Sequence, residues 1–533
     1  MTAAQLQSSI TESLRGTKLI VVANREPYIH IRRRRNARGV WNWLRGLKET
    51  NGIEWTRPAS GLVTALDPVM RATGGTWIAH GSGSADRETS DALGRVKVPP
   101  DRPSYTLRRV WLTEEEEQGY YYGCANNALW PLCHIAYARP VFDDRDWQQY
   151  VQINRRFADA VIEEVGDDRA VVFVQDYHFA LLPRFVKEAR PDVTVCQFWH
   201  IPWPNREVFR VCPWGEDILH GLLGNDLLGF HVQYHCNNFL DTVDRALESR
   251  VDYEQFAAWR GGRPTFVRPF PISIDPSLWK GPTRAADQAA EIQTVRQMLG
   301  LSDERIIFGV DRLDYTKGIE ERFRAVQRFL ELHPEWIGKF SFIQIAAPTR
   351  SSIEDYQAYE ARVRALAMRI NTQFADALFP PIILHVEHHE PREVYEYYRG
   401  SEFCFVSSLH DGMNLVAKEF IAARDDERGA LVLSQFTGAA RELPEAIIVN
   451  PYDAEQCAAA LWQAVTMPPE EQRARMRLMR SLVAEFNVYR WAGRMMVDAA
   501  AVRRRSRLIQ RFEFPLRLPG LRPSRPTPVA THR

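Results

Sequence analysis

The chain has 533 residues, 45% of them hydrophobic and 25% charged, with a formal net charge of +1. That length exceeds one ordinary core and implies two large domains, while the near-neutral balance excludes a global field that would recruit nucleic acid. No apolar run reaches the roughly 18 residues of a membrane span. The opening MTAAQLQSSITESLRGTKLI lacks the order of a secretory leader, and seven scattered cysteines with no CxxC point to a reducing, cytoplasmic setting.

The predicted elements alternate short apolar strands with longer helical stretches. Residues 1–17 read as a flexible extension. Residues 18–23 form the first buried strand, ahead of Asn24 and Arg25. The arginine run 32–35 reads as a solvated loop, with an anion-binding role as the alternative, in an arginine- and tryptophan-rich stretch, 28–56. Helical spacing covers 147–164. Strand 171–175 leads to Asp176 and His178, strand 193–198 to His200, and strand 227–230 comes next. Glycine and proline interrupt the pattern at 261–276, a natural boundary. Beyond it, strand 306–310 precedes Arg312, Lys317 and a helix at 320–332; strand 340–346 precedes Arg350. Strand 403–406 precedes Asp411, and strands 431–433 and 447–449 complete the series. The proline- and arginine-rich tail, 515–533, reads as disordered.

Such alternation implies an α/β protein of doubly wound parallel sheets. Ligands of open parallel sheets bind beyond the carboxyl ends of the strands, and the charged residues above sit there. Within 403–424 a strand passes through His410-Asp411-Gly412-Met413-Asn414 into a helix starting at Leu415. Unpaired N–H groups at a helix start suit a phosphate, and the carboxylates of Asp411 and Glu419 suit sugar hydroxyls. Arg312 and Lys317, on one turn, can grip both phosphates of a nucleotide diphosphate through charge-assisted bonds. In QFWHIPWPN two prolines stiffen the strand exit and fix where His200 points. His385, His388 and His389 lack a matching second cluster, so no metal site is expected. The chain has neither G-x-x-x-x-G-K-[ST] nor G-x-G-x-x-G, which removes the usual support for ATPase and dehydrogenase readings.

Taken in order, the blocks ANR (23–25), YYYGCANNALWP (120–131), QDYH (175–178), HIPWP (200–204), DLLGFH (226–231), RLDYTKGIEERF (312–323), DGMNLVAKEF (411–420), LVLSQFTGAA (431–440) and NPYD (450–453) closely resemble the retaining glycosyltransferases of family 20, which make trehalose 6-phosphate. The resemblance runs from about residue 18 to residue 500. It implies a GT-B fold: two doubly wound Rossmann-like domains facing across a cleft. Residues 18–265 would bind the acceptor and 266–485 the nucleotide sugar, with a helix at 486–510 returning to the first domain. The partners implied are a nucleotide-glucose, UDP-glucose foremost, and a sugar phosphate, with no cofactor, metal, nucleic acid or membrane; a homo-oligomer is compatible with it.

By residue-wise match, Asp176, His200, Arg312, Lys317 and Asp411 would carry the catalysis. Arg312 and Lys317 would hold the diphosphate with the backbone of Gly412, Met413 and Asn414. Leu415, Val416 and Glu419 would sit at the ribose and diphosphate, His200 and Asp411 at the transferred glucose, and Gly61 in a loop closing over the donor. Arg25, Trp77, Tyr121, Trp130, Asp176 and Arg350 would take the acceptor. The family transfers glucose without a protein nucleophile, the acceptor attacking on the face that the diphosphate leaves. Three positions depart from its pattern: Ser60 for the first of two glycines, His410 for an arginine, and His80 for an aromatic residue. They keep open another phosphorylated acceptor, such as glycerol 3-phosphate. A non-catalytic regulatory relative is disfavoured because Arg312, Lys317, Asp411 and Glu419 are all present.

Overall fold

The computed structural model describes residues 12–32, 52–58, 61–279, 285–298, 305–350, 352–374 and 380–513. In chain order the strands are β1 (Lys18–Val22), β2 (Ile29–Arg32), β3 (Ile53–Thr56), β4 (Thr76–His80), β5 (Arg95–Val98), β6 (Tyr105–Val110), β7 (Ala170–Gln175), β8 (Thr194–Phe198) and β9 (Leu227–Phe230). They continue with β10 (Arg250–Asp252), β11 (Ala257–Arg260), β12 (Arg263–Pro269), β13 (Arg305–Arg312), β14 (Phe340–Ala347), β15 (Ile382–His385), β16 (Phe403–Val406), β17 (Ala430–Ser434) and β18 (Ile447–Val449). One sheet has the order β10-β11-β12-β9-β8-β7-β1-β4-β6-β5, a second β15-β14-β13-β16-β17-β18, and β2 pairs only with β3.

The second sheet is parallel throughout, and so is the run from β12 to β6 in the first. Helices cover both faces, so the central strands are apolar without alternation: every residue of β7, AVVFVQ, is buried. The edges depart from the all-parallel expectation, because β5, β10 and β11 run antiparallel to their neighbours. The 261–276 stretch opens with a hairpin that still belongs to the first sheet, which therefore runs a few residues beyond 265, the expected end of the first domain. Gly261 and Gly262, at φ +53° and +76°, turn β11 into β12. β12 pairs with β9, so the chain leaves this sheet only after Pro269.

The helix Val488–Glu513 packs back on the first sheet. The Trp491 ring lies 5.1 Å from that of Phe198 and 6.2 Å from that of Phe173. Arg503 donates to the Ser13 carbonyl at 3.2 Å, and Leu14 is buried in the core, so the end of the 1–17 extension is held in place. One apolar cluster joins Phe198 and Trp491 to Val406 and Ile421 of the second sheet's layer. Residues 33–35 of the arginine run and the tail 515–533 lie outside the described residues. Among the described residues no helix is long and apolar enough to cross a membrane.

Candidate active site

The carboxyl ends of the two sheets face each other across a cleft of about 330 Å³. Arg25, Tyr121, Trp130, Asp176 and His200 line it from the first sheet, and Arg312, Lys317, Arg350 and Asp411 from the second. A second cavity of about 410 Å³ is lined by Leu415, Val416 and Glu419, and Arg312 borders both. Residues far apart in the chain therefore meet in one place: Arg25, Asp176, His200, Arg312, Lys317, Arg350 and Asp411 lie at or shortly beyond the carboxyl ends of parallel strands, while Tyr121 and Trp130 come from helices that follow β6.

At the centre, Lys317 Nζ lies 2.5 Å from Asp411 Oδ2. Although burial opposes it, Lys317 holds the Asp411 carboxyl well below the usual carboxylate range. Two close approaches make this junction possible. At Gly318, at φ +64°, a Cβ would stand 2.2 Å from the Ser407 carbonyl oxygen; at Gly412 it would stand 2.7 Å from the His200 carbonyl oxygen and from the His231 ring. The loop after β16 can thus lie directly on the loop after β8. Asn414, at φ +73°, caps the helix Leu415–Ala423 by accepting from the Ala417 N–H, and its Nδ2 donates to Ser408 Oγ. The first N–H groups of this helix have no intrahelical acceptor, so its positive end points at the same place.

The opposite wall is built on a π-helix, Gln118–Leu129, that runs into the helix Trp130–His134. Gly119 and Gly123 let it lie against the helix Asp144–Val165, where a Cβ would meet Gln149 at 2.8 Å or Asp146 at 2.1 Å. Wide helices of this kind are rare and concentrate at functional sites. Two guanidiniums face the Trp130 ring: Arg350 at 4.1 Å and Arg312 at 5.1 Å from its centroid. Arg350 donates to Asp314 Oδ2 at 3.3 Å. Tyr121 stacks on His178 at 5.5 Å; burial raises its phenol, but the charges of Arg350, Arg25 and Arg312 prevail and lower it.

Asp176 and His200 meet across the ends of β7 and β8. The His200 N–H donates to Asp176 Oδ1 at 3.2 Å, as does the Tyr177 N–H at 2.9 Å. Burial nevertheless raises the Asp176 carboxyl to about 7. Burial lowers His200 to about 3, so its imidazole is neutral near pH 7. Gln175 Nε2 donates to the Val174 carbonyl, leaving Oε1 to accept from His200 Nε2 at 3.0 Å. The proton therefore sits on Nε2, and Nδ1 is an acceptor. Asp176, Arg350 and Asn414 are three of the eight non-glycine residues with positive φ among the described residues. Three positions at the cleft thus hold a backbone conformation that favours glycine.

The structure brings together Arg25, Tyr121, Trp130, Asp176, His200, Arg312, Lys317, Arg350 and Asp411 in one cleft, with Leu415, Val416 and Glu419 next door. Tyr398 donates to Glu419 Oε2 at 3.2 Å, and burial raises that carboxyl to about 7. Trp77 is placed differently: it is wholly buried in the first core, and its indole N–H donates to the Arg25 carbonyl at 3.2 Å. It supports Arg25 from behind, because the alternation of β4 turns this side chain inward. Met413 is likewise buried, so only its backbone faces the turn. Gly61 begins the helix Gly61–Thr73 rather than lying in a loop, with Leu62 in the cleft and Thr64 in the second cavity; Ser60 lies outside the described residues. His410 does not charge the donor side: burial lowers its pKa, and Nδ1 donates to the His134 carbonyl at 2.6 Å. His388 and His389 line the second cavity. Sequence reasoning passed over Asp314 and Gln175, which sit inside RLDYTK and QDYH and orient Arg350 and His200.

Two α/β sheets opposed across a cation-lined cleft are the GT-B architecture, and the class of protein is a glycosyltransferase. The chain belongs to glycosyltransferase family 20, whose model matches residues 17–501. It is 38% identical over 502 residues to the trehalose-6-phosphate synthase of Mycolicibacterium vanbaalenii, covering 91% of this chain and 96% of that one. A structure from E. coli bound with UDP-2-fluoro glucose superposes with a TM-score of 0.76 at 29% identity, covering 91% of this chain and 99% of the other. The UDP-forming alpha,alpha-trehalose-phosphate synthase of Burkholderia xenovorans, in complex with glucose-6-phosphate, gives 0.77 at 30% identity, covering 90% and 99%.

Proposed function

We propose that the protein transfers glucose from UDP-glucose to glucose 6-phosphate with retention, releasing UDP and α,α-trehalose 6-phosphate. The observation that carries this reading is the meeting of Arg312, Lys317 and Asp411 with Arg25, Tyr121, Trp130 and Arg350 in one cleft. One set of cations suits a pyrophosphate and the other a sugar phosphate, with a carboxylate between them. Relatives described with a UDP-sugar analogue and with glucose-6-phosphate support both ligands.

In this reading Arg312, Lys317 and the start of the helix Leu415–Ala423 neutralise the departing diphosphate. Glu419 takes ribose hydroxyls in the adjoining cavity, beside Leu415 and Val416. Asp411 and the Nδ1 acceptor of His200 hold hydroxyls of the transferred glucose. Arg25, Tyr121 and Arg350 hold the acceptor phosphate, and Asp176 orients the attacking hydroxyl. That hydroxyl's oxygen bonds to the anomeric carbon on the face from which the phosphate oxygen leaves, and its proton passes to that oxygen. The protein supplies position and charge rather than a nucleophile. Seven free, buried cysteines support a cytoplasmic setting.

The test is a matrix of UDP-, GDP- and ADP-glucose against glucose 6-phosphate and glycerol 3-phosphate. Nucleotide diphosphate release with UDP-glucose and glucose 6-phosphate, and a product with the α,α linkage by NMR, is expected. Release only with glycerol 3-phosphate, or with no pair, overturns the reading.

A further inference from the structure

The opposite end of the first sheet carries a second charged cavity, of about 430 Å³, remote from the strand ends that hold the cleft. Its walls are the helix Leu182–Ala189, the end of the helix Gly215–Leu222, the residues leading into β9, and the β11–β12 turn. Four permanent cations, Arg184, Lys187, Arg260 and Arg263, converge on it against two carboxylates, Glu188 and Asp226. Both carboxylates are engaged: Glu188 Oε1 with Arg184 Nε at 2.7 Å, and Asp226 Oδ2 with Lys187 Nζ at 2.6 Å and the Val195 N–H at 2.8 Å.

Arg260 and Arg263 flank the Gly261-Gly262 turn and have no carboxylate partner among the described residues. The Arg260 guanidinium donates to His220 Nε2 at 3.1 Å. Burial first, then the Arg260 and Arg184 charges, disfavour the protonated form of that imidazole. Like charges gathered in this way are relieved by a bound anion, and forked guanidiniums favour phosphoryl oxygens. Asn225 also lines the cavity; it is buried, and its Oδ1 has no hydrogen-bond partner among the described residues.

The same asparagine leads toward the cleft. Asn225 Nδ2 donates to Gln197 Oε1 at 3.0 Å, and Gln197 Nε2 donates to the Asp176 carbonyl at 3.0 Å. Gln197 is wholly buried, so the three residues form a fixed bridge through the sheet. We infer that this cavity binds a phosphoryl dianion, as inorganic phosphate or a phosphate monoester, and acts as an effector site for the transfer reaction.

The experiment titrates the full-length protein calorimetrically with inorganic phosphate and, separately, ribose 5-phosphate, with the cleft saturated by UDP and glucose 6-phosphate. The double variant Arg260→Ala/Arg263→Ala, altered only on an exposed hairpin, is titrated in parallel. One binding equivalent that persists in the saturated protein and weakens at least tenfold in the variant is expected. Equal affinities for the two probes assign the free ion, and tighter ribose 5-phosphate assigns the ester. Steady-state kcat, or KM for glucose 6-phosphate, shifts at least twofold with the tighter probe in the native protein and not in the variant. No heat with the cleft filled, equal binding by both proteins, or binding without a kinetic shift overturns the inference. The binding result stands apart from the substrate assignment, since it is read without turnover.

Discussion

Lys317 Nζ and Asp411 Oδ2 stand 2.5 Å apart, joining the loop after β13 to the loop after β16. Both side chains are largely shielded, so each depends on the other. Removing one charge of such a pair leaves the second desolvated and unopposed. Lys317→Met is expected to lower turnover by about 10²–10³-fold, the usual cost of one preorganised donor at a developing charge. Its melting temperature should fall as well. Steady-state kinetics with thermal unfolding checks this; a variant with near-native kcat/KM and intact UDP affinity would remove Lys317 from the diphosphate site.

Trp130 carries Arg350 at 4.1 Å and Arg312 at 5.1 Å on its ring. Each desolvated cation–π contact contributes about 1–2 kcal/mol. Trp130→Ala should therefore raise KM for the sugar phosphate roughly tenfold or more, with Trp130→Phe intermediate. Equal KM values for all three proteins would show that the ring does not position the arginines.

Gly412 has no room for a methyl group, with the His200 carbonyl and the His231 ring both 2.7 Å from where its Cβ would stand. Gly412→Ala is expected to push the Asp411 turn off the first sheet and cost about 1–3 kcal/mol of strain. Turnover should drop more than tenfold, while the same change at Gly166, outside the cleft lining and with open space around it, strains the backbone at φ +53° yet leaves kcat unaltered. Comparing kcat in the two variants decides the point.

Asp176 titrates near 7 in the folded protein, against 3.8 for a free aspartate. The folded state thus keeps a proton that the unfolded chain releases between about pH 4 and pH 7, so this group makes stability fall as pH rises through that window. Asp176→Asn should flatten the decline in melting temperature of the ligand-free protein between pH 5 and 8. It should not abolish it, because Glu419, at about 7, and Glu26, at about 8, act in the same direction. Identical slopes for variant and native protein would contradict the burial of this carboxyl.

The helix Val488–Glu513 ties the last part of the chain to the first sheet through Trp491, whose ring lies 5.1 Å from Phe198 and 6.2 Å from His200. Trp491→Ala removes a buried indole and is expected to destabilise by about 3–5 kcal/mol. Turnover should fall too, since His200 loses a neighbour. Chemical denaturation alongside kinetics measures both.

Much of this molecule could be read along the chain. The central strands are short runs buried on both faces, so β7, β8, β9, β13 and β16 stand out by apolarity alone, and parallel strands deliver the residues at their carboxyl ends to one edge. That is why Asp176, His200, Arg312 and Asp411 were legible as one site. β5, β6 and the hairpins escaped because polar residues interrupt their apolar runs, as in YTLRRV of β6, and β4, TWIAH, because its apolar run is only three residues long. Only the tertiary structure decided direction and pairing. Trp77 turns inward, His410 spends its proton on the His134 carbonyl, and Asp314 and Gln175 hold Arg350 and His200. Residue type and spacing state which groups are available. Which way a side chain points, and what it is pressed against, depends on neighbours hundreds of residues distant, and those exist only after the two sheets have closed on one another.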